Sequence, residues 1–215
     1  MRIANRMPIL LTLLLLFAGP ALAQQGAIIT ALQGQVTFEQ DTPVPRPAAA
    51  FARLRPGDKL QLAAGGAVQI VYFQTARQES WHGPVRLEVG EGQSGAVGDV
   101  AAQVRQLPPM LVRQLVKTPT ADASGRVGAV RMRSIVPPDA AAKLEENYEA
   151  LRRQTDAGDR SPQLYLLAGL YELKEYDRIE SRLREWLAST PGDAELAAMR
   201  DHYALAIRDA RSKPQ

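Results

Sequence analysis

The sequence predicts an α+β protein in two parts, a small all-β roll or sandwich followed by antiparallel, repeat-like helical hairpins. Two observations support this fold class. Apolar residues alternate with polar ones in the first half of the chain, whereas they recur at every third or fourth position after residue 140. Ten of the 16 glycines lie between Gly26 and Gly98, and three lie beyond residue 141. Turn-rich sequence therefore gives way to helix-rich sequence near the middle of the chain.

The first half contains four stretches that are typical of strands. Residues 35–39, 59–62 and 85–89 alternate between apolar and polar side chains, so each should have one buried face. Residues 68–73 are apolar on both faces after their first pair, which predicts a strand in the interior of a sheet. Turn signals such as Pro56–Gly57 separate these stretches. Together they indicate a small sandwich or roll.

Four apolar stripes at helical spacing follow residue 140. Ser161 and Pro162 provide a cap and a proline at the first helical position for the second stripe. Thr190 and Asp193 provide a similar start signal for the last one. Because the connections are short, neighbouring helices should be antiparallel. The stripes are Leu144, Tyr148 and Leu151; Leu164, Leu167, Leu170 and Tyr171; Tyr176, Ile179, Leu183, Trp186 and Leu187; and Leu196, Met199, Tyr203, Ile207 and Ala210.

The segment between the two halves is basic. Residues 101–137 hold six basic side chains and one acid, which gives a net charge of +5. Pro108 and Pro109 favour a short helix at the centre of this segment. One interpretation is a solvated linker whose charges contact the acidic helices, and the other is a surface for an anionic partner such as lipid headgroups or cell-wall polymer.

The first 23 residues have the pattern of a secretory signal peptide. Arg2 and Arg6 precede an apolar run at residues 9–18, and an A-x-A cleavage site ends at Ala23. We expect cleavage before Gln24 and a periplasmic or secreted protein, with retention as an uncleaved anchor as the alternative. The predicted organisation is a signal peptide at 1–23, a β domain at 24–100, a basic linker with a short helix at 101–138 and a helical domain at 139–215.

Short elements of the first half resemble the FecR-like domain in type and in order. They are Gly34–Val36, Leu54–Leu60, Gly66–Tyr72 and Val85–Val89. The resemblance covers about residues 26–92 and implies an extracytoplasmic all-β module, best known from bacterial iron-dicitrate signal transducers. Two departures limit it: Gln74–Arg77 replaces the usual Asp-Gly-Ser turn, and a signal peptide stands where the transducers have a cytoplasmic segment. Direct contact with a sigma factor is therefore not implied.

The helical region, about residues 140–210, resembles the tetratricopeptide repeat. Small, aromatic and proline landmarks of that repeat occur in order between Leu167 and Pro191. About three repeats are needed for a free-standing solenoid, so a single repeat should lean on its neighbours or on the sheet domain. The resemblance implies a helical hairpin that offers a groove to a peptide or protein.

The sequence contains no recognisable catalytic apparatus. Cysteine is absent, the two histidines are His82 and His202, and no serine lies in a G-x-S-x-G elbow. Metal-ligand spacings are missing, and the G-x-G-x-x-G letters at Gly90–Gly95 precede no clear helix. We therefore predict a protein that is not an enzyme and that uses no cofactor or metal. The alternative is a hydrolase of cell-wall polymer that depends on His82 or on His202, the latter in a surface-like stretch of the last helix.

The expected function is binding or assembly in the bacterial cell envelope, with another envelope protein or cell-wall polymer as partner. The alternative is a FecR-type signal-transduction or regulatory component. Nucleic acid is not expected as a partner of an exported chain with 6% aromatic residues, whereas membrane contact through the basic segment stays open. A tryptophan at a predicted tight turn can anchor a partner, or it can pack over the sheet edge. The expected interaction surface is Trp81, His82, Arg113, Lys117, Arg131 and Arg133.

Overall fold

A computed structural model describes residues 26–39, 45–121, 127–128, 137–156 and 158–212. The described chain contains two five-stranded antiparallel sheets, one pair of two-residue strands and five helices. The coarse fold class is therefore confirmed, since both large sheets precede the helices. The predictions for the signal peptide, with its cleavage site at Ala23 and Gln24, and for Arg131 and Arg133 lie outside the described residues.

The elements follow one another without long irregular segments among the described residues. The strands are β1 (Ala27–Gln33), β2 (Val36–Glu39), β3 (Arg46–Pro47), β4 (Arg53–Leu54), β5 (Lys59–Leu62), β6 (Ala67–Tyr72), β7 (Arg77–His82), β8 (Val85–Val89), β9 (Ser94–Val97), β10 (Gln103–Gln106), β11 (Thr120–Ala121) and β12 (Val127–Gly128). The helices are α1 (Pro109–Leu115), α2 (Ala140–Gln154), α3 (Ser161–Glu172), α4 (Tyr176–Ser189) and α5 (Ala194–Ser212). No helix in the described ranges has the length and apolar character needed to cross a bilayer.

The two large sheets and the helices form three layers. Strand order defines an inner sheet, β10-β7-β6-β1-β4, and an outer sheet, β3-β2-β5-β8-β9. Neighbouring residues of β1 show how the layers stack: Ile29 lies in a core with Leu60 of the outer sheet, whereas Ile28 lies in a core with Leu111 of α1. The inner sheet is therefore covered on both faces. We call these two regions the inter-sheet core and the sheet–helix core.

The interior strand predicted at residues 68–73 is confirmed. It corresponds to β6, which lies between β1 and β7. Ile70 faces the inter-sheet core and Val71 faces the sheet–helix core, so both faces exclude water. This double burial explains why the apolar pattern of this strand does not alternate.

Two elements of the inner sheet differ from the sequence-based expectation. The tight turn expected at Trp81 and His82 lies just after them, because Arg77–His82 form β7 and the chain bends at Gly83 and Pro84. The segment expected as a linker adds a strand, since β10 pairs with β7 along its whole length. It also adds the short helix α1, which buries Leu111, Val112 and Leu115.

The last four helices alternate in direction. α2 and α4 run side by side in the same direction, and so do α3 and α5. Ten of the 12 residues of α3 are buried, and α2 packs closely at Gly169, since a Cβ there would lie 2.5 Å from the end of the Leu144 side chain, which would have to move. Contacts at successive positions establish the directions: Glu145–Arg182 and Tyr148–Trp186 for the first pair, and Arg160–Asp193 and Tyr171–Tyr203 for the second.

Candidate functional site

Trp81 does not lie on the surface. Its side chain is 4% exposed in the inter-sheet core, and its indole Nε1–H donates to Glu79 Oε2 at 3.0 Å. The expected exposed anchor is therefore wrong for Trp81, because a buried carboxylate satisfies the only polar group of the indole. The alternative, in which Trp81 packs over the sheet edge, is closer to its position, since the side chain packs between the two sheets.

Glu79 joins the two sheets. Its side chain is fully buried; Oε1 lies 2.6 Å from Arg77 Nε, and Oε2 accepts from the Ser94 backbone N–H at 3.1 Å. Arg77 belongs to the inner sheet and Ser94 to the outer sheet. Burial raises the pKa of the neighbouring Tyr72 to about 12, and its hydroxyl lies 2.7 Å from Ser94 Oγ. This carboxylate is enclosed and fully bonded, which gives it a structural role.

His82, Arg113 and Lys117 do not come together. His82 is exposed at the last position of β7, whereas Arg113 is exposed on α1, which follows β10 at the opposite end of β7, beside Ala76. The two ends of β7 are separated by about 17 Å of strand. Lys117 Nζ pairs with Glu172 Oε2 at 2.7 Å, so its charge contacts the helices of the same chain.

His202 lies at the junction of the helices with the sheet, and the expected surface position on the last helix is wrong. Its ring centroid is 4.8 Å from that of Phe51, and its Nε2 lies 2.5 Å from the Pro119 carbonyl oxygen. Burial lowers the pKa of His202, which keeps the imidazole neutral at pH 7. The ring therefore acts as a packing group and as a donor to the backbone.

Arg53 of β4 contacts the same junction between the helices and the sheet. Its guanidinium donates to the carbonyl oxygens of Val116 and Thr118 and lies 4.8 Å from the centroid of the Phe73 ring. Burial lowers the pKa of Arg53 to about 10, so the side chain stays charged at neutral pH. The polar side chains of Arg53 and His202 are therefore hydrogen-bonded to backbone carbonyl oxygens of the same chain. In the described ranges, no cluster of histidine, aspartate and glutamate side chains could hold a metal ion.

One surface region differs from the rest in its exposed apolar side chains. It comprises β9, residues 98–102 and β10, and we call it the open edge. In the described part of the chain, four large apolar side chains are exposed, and three belong to this region: Val97 at 67%, Val100 at 40% and Val104 at 49%. The fourth is Val116 at the end of α1, at 43%. The open edge is therefore the candidate functional site.

No described residue pairs with the outer side of the β10 backbone, which we call its free side. In an antiparallel ladder, successive residues direct their N–H and C=O groups to opposite sides of the strand. Leu107 N–H donates to the Ala76 carbonyl, so the odd-numbered residues of β10 face β7. Val104 and Gln106 therefore direct their N–H and C=O groups away from the sheet.

Within the described ranges, the backbone of β9 is unpaired on its outer side over a shorter length. Gly90 N–H donates to the Gln93 carbonyl, so the same alternation turns Ser94 and Ala96 away from β8. The N–H of Ser94 is already bound by Glu79. Ala96 is thus left as the outward-facing residue of this strand, beside the free side of β10.

The opposite edges of the sandwich are protected. They consist of β3 and β4, which have two residues each, and β3 ends in Pro47. Short edge strands and prolines are common devices against strand addition. In the part of the chain that the structure describes, the longer unpaired strands of the sandwich therefore lie on one side.

Sequence reasoning missed the open edge. A signal for it does exist, because residues 94–106 contain no proline, carry the two opposite charges Asp99 and Arg105, and include three valines. Such windows are prone to strand pairing. They indicate a site only when the sheet order shows that both strands are unpaired.

Comparison of the chain with known proteins finds no match among family models, curated proteins or solved structures. The FecR-like and tetratricopeptide-like resemblances therefore stay predictions.

Proposed function

We propose that the protein is a non-catalytic binding or assembly module of the bacterial cell envelope, and that the open edge takes up an extended segment of a protein partner. The observation that carries this proposal is the combination of exposed valines with unpaired strand backbone on one side of the sandwich. In strand addition, main-chain hydrogen bonds supply affinity and alternate side-chain contacts supply specificity.

The register of β10 indicates the chemistry of the added strand. Val104 lies opposite Glu79, so its side chain points toward the side of the inner sheet that bears the inter-sheet core. Ala96 and Ala102 pack against the same core. A partner strand that places every second side chain over this surface should have apolar residues there, and covering the exposed half of Val104 contributes about 1 kcal/mol.

The helices pack against the other face of the inner sheet. We propose that α2–α5 form a tetratricopeptide-like stack, and the same-direction pairing of α2 with α4 and of α3 with α5 supports this. Their apolar stripes face the sheet–helix core, and no large apolar side chain of the described residues 158–212 is exposed. A peptide groove on the hairpin therefore has less support than the open edge.

Two further observations agree with a non-catalytic, exported module. Glu79 is enclosed, and His82 and His202 lie in separate environments, one exposed and one packed against Phe51. Export is supported by the signal-like residues 1–23. Intact-mass measurement of the protein from the periplasmic fraction tests export, since cleavage before Gln24 removes a defined mass.

Site-specific photo-crosslinking tests the binding role. A photoreactive phenylalanine derivative at Val104 should yield a discrete adduct in an envelope extract, whereas the same group at Val116 should not. The two positions have similar exposure, 49% and 43%, so they differ mainly in the strand edge. An excess of the unmodified protein should compete for the partner and reduce the amount of adduct. An excess of the Val104→Lys variant, which carries no photoreactive group, should not reduce it. Equal labelling at both positions, or none at Val104, contradicts the proposal.

A further inference from the structure

We infer that the open edge pairs with the open edge of a second copy of this chain, so that two inner sheets join across a twofold axis through antiparallel β10 strands. This inference rests on the proposed function and names the partner of the same site. It follows from the difference between the sandwich edges and from the register that β10 allows.

The described strands at the sandwich edges favour one kind of strand pairing between copies. A head-to-tail arrangement would place the open edge of one copy against β3 or β4 of the next, and these strands offer two residues each and Pro47. The open edge can instead meet its own copy. Such a contact uses the same surface on both partners and closes at two copies rather than growing into a filament.

The outward-facing groups of β10 select the register. Val104 and Gln106 direct their backbone groups outward, so residues of even number must face residues of even number across the new pair. If the axis passes through Arg105, the two arginines lie directly opposite each other, each already paired with Asp159 of its own chain, and Val104 faces Gln106, so the half-exposed valines do not cover each other. If it passes through Gln106, Val104 faces Pro108, which has no N–H to donate.

An axis through Val104 avoids both problems. It places Val104 opposite its copy, Arg105 opposite Gln103, and Ala102 opposite Gln106. The half-exposed valines of the two copies then cover each other on the side of the inter-sheet core. Val104 also exchanges reciprocal N–H to C=O hydrogen bonds with its copy, as in any hydrogen-bonded antiparallel pair.

Analytical ultracentrifugation of the purified protein over roughly 1–200 µM tests association, a range suited to a small interface. We expect the mass to rise from one chain toward two. Val104→Pro removes an outward N–H that the β7 ladder does not use, so it should weaken association at least about tenfold while the circular dichroism spectrum is retained. Val116→Lys is the matched control and should associate as the unchanged protein does.

Cysteine crosslinking tests the register, since the chain has no cysteine of its own. Opposed residues of a hydrogen-bonded pair have Cβ atoms roughly 5.5 Å apart, which is longer than the roughly 4 Å of a disulfide, so a short thiol-reactive linker is used instead of oxidation. Val104→Cys should form a covalent dimer with this linker, and Gln106→Cys alone should not. A mixture of Gln106→Cys with Ala102→Cys should crosslink between the two variants.

The outcomes separate this inference from the proposed function. A protein that remains a single chain up to 200 µM, or that associates equally as Val104→Pro, overturns pairing with a second copy. If such a protein still forms a Val104-specific adduct with a different protein, the proposed function stands. If Val104 yields neither a dimer nor an adduct, both are overturned.

Discussion

The inter-sheet core and the sheet–helix core enclose polar groups in different ways. In the first, the buried carboxylate of Glu79 meets the cation of Arg77 and two N–H donors. In the second, Arg53 and His202 meet backbone carbonyl oxygens, and His202 is kept neutral by burial. The same inner sheet therefore separates a core with a compensated ion pair from a core that depends on an uncharged imidazole. Their responses to mutation and to pH should differ accordingly.

The two cores also share strands, which should make them unfold together. Ile28 and Ile29 are fully buried neighbours on β1, the first in the sheet–helix core and the second in the inter-sheet core. We expect Ile28→Ala and Ile29→Ala each to lower the free energy of unfolding by about 2–5 kcal/mol. Urea titration measures this loss.

The two tryptophans report on the two cores separately. Trp81 lies in the inter-sheet core, and Trp186 lies among the helices against Tyr148. The Trp186→Phe background leaves Trp81 as the reporter of unfolding, and the Trp81→Phe background leaves Trp186. In each alanine variant, the unfolding transitions followed by the two tryptophans should shift by the same amount. A shift of one tryptophan signal alone would show that the sheets and the helices unfold independently.

The ion pair of the inter-sheet core gives the next largest effect. Glu79→Gln replaces one acceptor oxygen with an NH2 group that faces the donors of Arg77, Trp81 and Ser94. We expect a loss of about 2–3 kcal/mol, somewhat below the cost of breaking a fully buried pair, since Arg77 is 31% exposed. The control is Glu88→Gln on the exposed face of β8, which should change stability by less than about 0.5 kcal/mol. Equal effects would contradict the role assigned to Glu79.

Sequence periodicity predicted the layers better than it predicted their edges. The alternating pattern predicted β5 and β8 because one face of each strand is exposed to solvent. The unbroken apolar run predicted β6 because both of its faces are buried. The same rule missed β7, whose buried face includes Glu79. A carboxylate marks a surface position unless a cation and N–H donors compensate it. Arg77 and Trp81 are two positions away on the same strand, but the Ser94 amide and the sheet that covers Glu79 are set by the tertiary fold.

The candidate site depended on information that local sequence lacks. Val97, Val100 and Val104 are ordinary strand and loop residues, and their exposure follows from the positions of β9 and β10 at the ends of the sheet orders. Conversely, Trp81 looked available because polar residues surround it in sequence. Strand order, rather than composition, decides which apolar side chains a partner can reach.

The smallest expected effect is a loss of stability at acidic pH that arises from His202 in the sheet–helix core. Burial lowers the pKa of His202 in the folded protein, whereas the unfolded chain has the ordinary value near 6.5. Below about pH 6.5 the unfolded state therefore binds more protons, so the free energy of unfolding falls as the pH drops toward the folded pKa. The contribution of this group is at most about 1.4 kcal/mol per pH unit.

Substitution isolates this contribution from that of the carboxylates. His202→Gln keeps a donor for the Pro119 carbonyl but does not titrate, so its stability should fall less than that of the unchanged protein between pH 7.5 and pH 5.5. His82→Gln is the matched control, because it removes the exposed histidine of β7 and leaves His202 in place. Urea midpoints at both pH values provide the comparison. If the two variants respond to acid alike, the neutral imidazole does not distinguish the sheet–helix core, and acid acts on both cores through other groups.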